Sequence, residues 1–286
     1  MKSSKPARVL RLDKKVVNEM PQLSRSFASK LVAQGKVSVN GQTVSKQGYK
    51  FKNTDKIIIN YDITEVNRIP EIELAILYED DDCLVINKPI GLLTHSKGVF
   101  NPEATVASWL HNRYTDPLNE RAGIVHRLDR ATSGVMICAK NNKSSAWLQK
   151  QFSQRKVKKT YLAIVNGIPA PAEAVIDMPI ERNPKAPATF RVGVNGKSAI
   201  TRYKIIKSTK HYTLIALFPQ TGRTHQLRVH LNQLGFPIVG DTFYNGESCD
   251  RLYLHAHQLE ITLPNHSRQT FTAILPAEFH KIMNKS

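Results

Sequence analysis

One run of charged residues in the middle of the chain has the composition of a reactive site. His126-Arg127-Leu128-Asp129-Arg130 lies just before the apolar segment 134–139, which predicts a buried strand. A carboxylate flanked by arginines stays ionised, because neighbouring positive charges favour its charged form. Such a group can act as a nucleophile or a general base, yet similar clusters also form surface ion pairs. The run alone leaves both interpretations open.

A second polar run, QTGRTHQLRVH, spans residues 220–230 and indicates a tight turn that leads into a helix. Arg223, His225 and His230 are candidates for a phosphate-binding or acid–base cluster. A basic helix face with partly buried histidines is an equally good interpretation of this stretch. A metal site is less favoured, because no carboxylate lies nearby to complete a ligand set.

Tyr161 is the third candidate, and it lies in the strand-like segment KKTYLA, residues 158–163. A tyrosine within a strand usually belongs to the core. Its ring can also stack on a nucleic-acid base, an interaction worth roughly 1–3 kcal/mol per base.

The overall charge favours a nucleic-acid partner for these candidates. The 286 residues carry a net charge of +18, and such a field attracts polyanions. The three cysteines form neither a disulfide framework nor a zinc-binding pattern. No apolar run reaches the length of a membrane span, and the basic N-terminus lacks the apolar region of a secretory signal. We therefore expect a reduced, cytoplasmic protein without a membrane partner.

The charge is segregated along the chain. Residues 1–60 carry 13 Lys and Arg against 3 Asp and Glu, residues 61–120 carry 4 against 11, and the remaining residues carry 24 against 9. This basic–acidic–basic order predicts a small basic module, a linker and a larger body with its own basic face.

The N-terminal module reads as two short helices and a hairpin. Helices are predicted over 11–20 and 25–33, the second with Ser24 as its N-cap. Asn40-Gly41 between alternating apolar residues predicts a hairpin turn. Arg25, Lys30 and Lys36 lie in or just after the second helix, where they are candidates for phosphate contacts.

This module resembles the S4-like RNA-binding domain over about residues 8–60. The resemblance rests on Arg11-Leu12-Asp13, on Ser24-Arg25-Ser26 and on Val39-Asn40-Gly41. It implies RNA binding through shape and phosphate with little sequence readout. Residues 61–74 are then a linker, and residues 75–286 form the second domain.

The second domain is predicted to be α+β, because its strands cluster without regular βαβ alternation. Strands are predicted over 83–87, 134–139, 160–165, 201–206, 212–218, 252–261 and 270–275. Helices are predicted over 102–113, 144–152, 223–234 and 277–283.

The motifs of this domain together resemble the RluA-type pseudouridine synthases, over about residues 75–276. They are Leu77-Tyr78-Glu79-Asp80, Asn87-Lys88-Pro89 with Gly91-Leu92 and His95, His126-Arg127-Leu128-Asp129, Tyr161, Gly222-Arg223-Thr224-His225-Gln226, Gly240-Asp241 with Tyr244, and Leu254-His255-Ala256. The resemblance implies the pseudouridine synthase fold, with a mixed and mainly antiparallel sheet. It also implies an isomerase that converts uridine in RNA to pseudouridine without a cofactor or a metal.

The resemblance further implies three catalytic residues. Asp129 attacks the anomeric carbon or removes the ribose 2′ proton, and the sequence leaves both routes open. Arg223 pairs with Asp129 and orients it. Tyr161 stacks on the uracil and helps to remove the proton from its carbon 5.

RNA contacts are assigned to a wider set of basic residues. Arg127 is the candidate to fill the gap left in the stack when the uridine flips out. The full set is His126, Arg127, Arg130, His225, Arg228, Arg25, Lys30 and Lys36. No obligate protein partner is indicated.

The substrate expected is 23S ribosomal RNA or a precursor of the large subunit, because fusion to an S4-like domain is typical of the ribosomal members. A synthase acting on transfer RNA remains an alternative, as does a non-catalytic RNA-binding or ribosome-assembly factor. A third alternative is a metal-dependent RNA hydrolase using His126, His225 and His230.

Overall fold

The computed structural model describes residues 10–21, 23, 25–46, 48–61, 70–95, 103–114 and 123–284. They form two compact units, one drawn from Met1–Ile72 and His95–Ser108, the other from Glu73–Thr94 and Trp109–Ser286. Ser24, Pro102 and most of the predicted linker lie outside the described residues. The domain limits at residues 8, 60 and 75 stay a prediction.

The described residues between 10 and 61 in the first unit form two helices and five short strands. Its elements are β1 (Leu10–Arg11), α1 (Leu12–Glu19), α2 (Arg25–Ala33), β2 (Val37–Val39), β3 (Gln42–Thr43), β4 (Lys50–Phe51) and β5 (Ile57–Ile59). The strands pair in the orders β3-β2-β5 and β1-β4. Asn40 and Gly41 have φ angles of 52° and 81°, so the predicted hairpin turn is confirmed.

A buried carboxylate links two of the basic residues in this unit. Asp13, whose side chain is 2% exposed, accepts hydrogen bonds from Arg11 Nε at 3.0 Å and Arg25 Nε at 2.9 Å. The hydrogen bonds from Arg11, with those from Arg25, lower the pKa of Asp13 to about 2 despite its burial. Arg25, Lys30 and Lys36 are all exposed, and Arg25 is also tied to the buried Asp13.

The second unit is built on one large sheet. Its strands are β6 (Ala75–Glu79), β7 (Cys83–Lys88), β8 (Ser133–Ala139), β9 (Lys158–Asn166), β10 (Glu173–Asp177), β11 (Ile180–Arg182), β12 (Phe190–Val192), β13 (Ile200–Ser208), β14 (Tyr212–Pro219), β15 (Leu254–Thr262) and β16 (Arg268–Thr272). The helices are α3 (Val106–Arg113), α4 (Asn142–Ser153), α5 (Gln226–Gln233) and α6 (Ala277–Met283). No helix in the described ranges is long and apolar enough to cross a membrane.

Nine strands form the large sheet, in the order β10-β13-β14-β9-β15-β8-β7-β6, with β16 added beside β15. Its neighbours are antiparallel except for β8 and β15, which are parallel. The predicted mixed, mainly antiparallel α+β fold is thus confirmed. The predictions missed β6 and β10 at the two ends of the sheet, and the separate pair of three-residue strands β11 and β12.

The parallel contact between β8 and β15 is short and unusually close. It consists of the pairs His255↔Ser133 and Ala256↔Gly134. Gly134 has a φ of +118°, and a Cβ atom placed on it would lie 2.1 Å from the Ala256 carbonyl oxygen. Only glycine allows the two backbones to approach in this way.

We expect Gly134→Ala to destabilise the second unit by more than about 2 kcal/mol, because it adds a backbone clash to an unfavourable φ. Gly235→Ala is the matched control, since Gly235 has a φ of +83° but open space around its Cβ position. The control should cost only about 1 kcal/mol in a denaturant titration. Equal losses in the two variants would contradict the clash.

Candidate active site

The loop that carries Asp129 is fixed to the turn that follows β7. The Thr94 hydroxyl donates to the Leu128 carbonyl at 2.8 Å and accepts from the Leu128 N–H at 3.2 Å. The N–H of Gly91 donates to the Arg130 carbonyl at 2.8 Å, and Gly91 has a φ of +84°. Asp129 is thus held between two anchored neighbours at the start of β8.

The cation closest to Asp129 is Arg228 of α5. Nε and Nη2 of Arg228 each lie 2.7 Å from an oxygen of Asp241, whose side chain is completely buried. This bidentate pair leaves Nη1 facing Asp129, 3.8 Å from Oδ2. Burial alone would lower the pKa of Arg228, but the hydrogen bonds and charge of Asp241, with the charge of Asp129, raise it. Arg228 is therefore a fixed positive charge beside Asp129.

His225 is the second group beside Asp129, with Nε2 3.8 Å from Oδ2. Its other ring nitrogen, Nδ1, lies 2.7 Å from the Tyr244 hydroxyl, which also accepts the N–H of Phe190 at 2.9 Å. Burial lowers the pKa of His225, although the negative charge of Asp129 opposes this. At neutral pH His225 is therefore a neutral neighbour of the carboxylate, and it is held in place by its hydrogen bond with Tyr244.

Arg223 does not pair with Asp129, and this corrects the prediction. Its Nε donates to the Ser198 carbonyl at 3.0 Å, while its backbone N–H donates to Gln226 Oε1 at 3.0 Å. The same Gln226 oxygen accepts from the Thr221 hydroxyl at 2.7 Å. These bonds hold residues 221–225 in a turn, so the helix begins at Gln226 and not at Arg223. Arg223 lines the cleft, but its guanidinium binds the Ser198 carbonyl and is not paired with Asp129.

The arginine that lies beside Asp129 belongs to the same polar run, residues 220–230. His225 is the N-cap of α5 and Arg228 lies three residues later. Both side chains lie at the N-terminal end of α5, each with a nitrogen 3.8 Å from Asp129 Oδ2. The prediction instead gave Arg228 an RNA contact. It noted Gly240-Asp241 and Tyr244 but gave them no role, because their contacts depend on the fold.

Tyr161 lies in β9 and lines the same cleft as Asp129 and Arg228. Its ring is half-buried and packs against the core cluster that includes Leu217 and Leu254. Burial, together with the negative charge of Asp129, raises the pKa of Tyr161. The phenol therefore stays protonated, which favours stacking by its ring over action as a phenolate base.

Two of the histidines predicted to belong to the site make structural contacts instead. His126 Nε2 accepts the N–H of Ile137 at 3.1 Å, and its ring stacks on Phe152 with 4.5 Å between centroids. Burial, with the charge of Lys159, lowers the pKa of His126 to about 3. His126 therefore offers RNA no positive charge, which argues against its predicted RNA contact.

His230 is also structural, because its two nitrogens contact the Thr201 hydroxyl at 3.0 Å and the Met178 carbonyl at 2.9 Å. The carbonyl can only accept, so Nε2 carries the proton. Across the described ranges, no three His, Cys, Asp or Glu residues form a group able to hold a metal ion. The histidine arrangement thus gives the metal-dependent hydrolase no common ligand set.

The remaining predicted RNA contacts divide between the two units. Arg127 and Arg130 are exposed on the Asp129 loop, and Arg127 lines the cleft. Arg25, Lys30 and Lys36 belong to the first unit. Asp129, Tyr161 and Arg228, by contrast, meet in one concave site built from three elements.

An S4 domain matches residues 10–57, and the family described as RNA pseudouridylate synthase matches residues 82–233. The chain belongs to the RNA pseudouridylate synthase family. It is therefore an isomerase that acts on RNA, and it carries an N-terminal S4 domain, as the motifs predicted.

Similar proteins support this membership over most of the chain. An uncharacterized RNA pseudouridine synthase of Aquifex aeolicus is 40% identical over 245 residues, which cover 83% of this chain and 78% of the relative. The ribosomal large subunit pseudouridine synthase D of Yersinia pestis is 34% identical over 294 residues, 96% of this chain and 90% of the relative. The solved structure of human RNA pseudouridylate synthase domain containing 4 matches with a TM-score of 0.61 and 28% identity, over 78% of this chain and 94% of that one.

We expect Arg228→Lys to lower kcat about 100-fold, because a point charge cannot bind Asp241 through two nitrogens and face Asp129 with a third. Arg223→Lys makes the same chemical change five residues earlier and should lower kcat less than about tenfold. Single-turnover rates of pseudouridine formation provide the measurement. A larger loss in the Arg223 variant would return the pairing role to that residue.

Proposed function

We propose that the protein isomerises uridines of large-subunit ribosomal RNA to pseudouridine, with Asp129 as the catalytic carboxylate. The main support is that Asp129 lies beside the fixed charge of Arg228 in the cleft that Tyr161 lines. Relatives named ribosomal large subunit pseudouridine synthase D favour the ribosomal substrate over transfer RNA. Because that RNA is made and assembled in the bacterial cytoplasm, we also propose a cytoplasmic location.

The reaction begins with the bond between the ribose and the uracil. Asp129 either attacks C1′ as N1 leaves with the bonding electrons, or removes the 2′ proton as that bond breaks. The uracil then rotates, and its C5 forms a carbon–carbon bond to C1′ of the same ribose. On the first route this step breaks the ester bond between C1′ and Asp129, and on the second Asp129 returns the proton to C2′. The C5 proton is lost and N1 gains one, so the RNA keeps its mass. Water must be kept from the sugar during these steps, because its attack would release the base.

Each side chain has a distinct role in this proposal. Arg228 holds a fixed positive charge 3.8 Å from Asp129 without occupying its oxygens by a hydrogen bond. Tyr161 offers its ring to the uracil as a stacking surface. Arg127, exposed on the Asp129 loop, is assigned to the stack of the RNA, where it fills the position vacated by the flipped uridine.

Reaction of the purified protein with large-subunit RNA, followed by site-resolved mapping of pseudouridine, tests the proposal directly. We expect modification at defined uridines, unchanged RNA mass and full activity with a chelator present. Modification of transfer RNA alone would redirect the substrate assignment. RNA binding without any modification would support the assembly-factor alternative, and cleaved RNA would support a hydrolase.

Asp129→Asn should lower pseudouridine formation at least about 1000-fold, because the amide keeps the shape but loses the charge and nucleophilicity. The Kd for RNA should change little, since the phosphate contacts remain. Asp81→Asn, on the exposed turn between β6 and β7, is the control for a lost surface charge. A parallel loss of RNA binding in the Asp129 variant would indicate a structural role for this residue.

The double variant Lys30→Gln with Lys36→Gln should weaken RNA binding and reduce its salt dependence. Each lost phosphate contact lowers the slope of log K against log salt by about 0.7–0.9. The control removes two exposed lysines of the other unit, Lys210 and Lys281. If both double variants keep the wild-type slope, Lys30 and Lys36 do not contact phosphate.

A further inference from the structure

The large sheet splits next to the active site. β14 pairs with β9 from Tyr212↔Asn166 to Leu217↔Tyr161 and no further. Beyond that point, residues 158–160 of β9 pair only with β15, and residues 218–219 of β14 pair only with β13. Pro219 has no N–H to donate to β9, so the ladder cannot continue through it. The two strands therefore diverge just past Tyr161.

The space between the diverging strands is a groove with basic walls, which we call the split groove. Its wall on the β9 side carries Arg155, Lys158 and Lys159, and its wall on the β14 side carries Arg202 and Phe218. Lys159 and Pro219 line both this groove and the catalytic cleft, so the two are continuous.

Two of the basic residues that line the groove already form ion pairs with carboxylates. Lys158 lies 3.1 Å from Glu260, which is the only carboxylate that lines the described groove, and Arg202 lies 2.7 Å from Glu173. Arg202 also covers the ring of Phe218, with its guanidinium carbon 4.0 Å from the ring centroid. The charges of Arg155 and Lys159 are left without a carboxylate within 4.0 Å among the described residues.

Lys159 is the more constrained of these two cations. Among the described residues, its Nζ donates a hydrogen bond to the Thr221 carbonyl, 3.4 Å away on the wall of the adjoining catalytic cleft. Burial lowers the pKa of Lys159 to about 8, as expected for an ammonium that is removed from water without an anion to pair with. His126, whose pKa the charge of Lys159 lowers, stays neutral and supplies no counter-charge. A bound anion would supply the negative charge that Lys159 lacks in its surroundings.

The position of Lys159 relative to the reacting base identifies the anion. Lys159 and Tyr161 are two residues apart in one strand, so both side chains point to the same side, about 7 Å apart. A base stacked on Tyr161 brings the RNA backbone on either side of it into this neighbourhood. We propose that the split groove binds a backbone phosphate next to the target uridine, through Lys159 and then Arg155. This inference rests on the proposed RNA substrate.

The test compares Lys159→Gln, Lys159→Arg and Arg155→Gln with Lys210→Gln. Lys210 is exposed on the turn between β13 and β14, at the end of the sheet opposite to the split. For Lys159→Gln we expect about a tenfold rise in Kd for an RNA stem–loop carrying the mapped uridine, with a salt slope lower by about 0.7–1. KM should rise more than kcat falls. Lys159→Arg should restore most of the affinity, and Lys210→Gln should match the wild type.

A neutral linkage in the RNA separates a phosphate contact from a structural effect. A methylphosphonate placed beside the target uridine should weaken binding by the wild type, and should weaken binding by Lys159→Gln much less, because the two changes remove one interaction. Equal losses in both proteins would overturn the proposal, as would a Lys159→Gln variant with the wild-type Kd and salt slope.

Binding is measured without turnover, so the two proposals fail separately. A wild-type protein that binds large-subunit RNA but forms no pseudouridine would refute the proposed function. The salt slopes of the same variants with that RNA would still decide whether Lys159 contacts a phosphate.

Discussion

The guanidinium of Arg228 lies between two carboxylates and contacts them at different distances. Asp241 is completely buried and takes two nitrogens at 2.7 Å, whereas Asp129 is 22% exposed and faces the third at 3.8 Å. The first pair is a bidentate hydrogen-bonded contact, and the second is beyond hydrogen-bond range. Asp129 therefore gains an electrostatic neighbour without having its oxygens occupied. The proposed mechanism, in which Asp129 reacts with a sugar, requires this combination.

In this arrangement Asp241 contributes to stability, while Asp129 is assigned the reactive role in the proposed mechanism. Removing one partner of a buried ion pair leaves an uncompensated charge, which typically costs about 3–5 kcal/mol. The Asp241–Arg228 pair is subject to this constraint because both side chains are buried. Asp129 is less restricted, since its position comes from the Leu128 and Arg130 backbone bonds to the neighbouring turn. Its side chain remains available to the substrate.

The sequence predicted the features that depend on local chemistry. Asn40-Gly41 identified a hairpin, and apolar runs such as residues 134–139 identified central strands. It was wrong where a contact depends on side chains distant in the chain. Arg223 was paired with Asp129 because both lie in recognisable motifs, but the Gln226 amide holds Arg223 in a turn and Arg228 takes that place. Short edge strands such as β10 were missed, because one exposed side weakens their apolar signal. The split in the sheet follows from strand register, of which Pro219 is the only local sign.

The position of β15 has a consequence for the synthesis of the protein. β8, which follows Asp129, and β9, which contains Tyr161, are not neighbours, because β15 lies between them and pairs with both. A chain emerging from the ribosome thus holds all three side chains of the site before it contains the strand that joins them. Contacts between segments so distant in sequence form late in folding. The cleft of this architecture is therefore complete only after β15 has been synthesised and has paired with both strands.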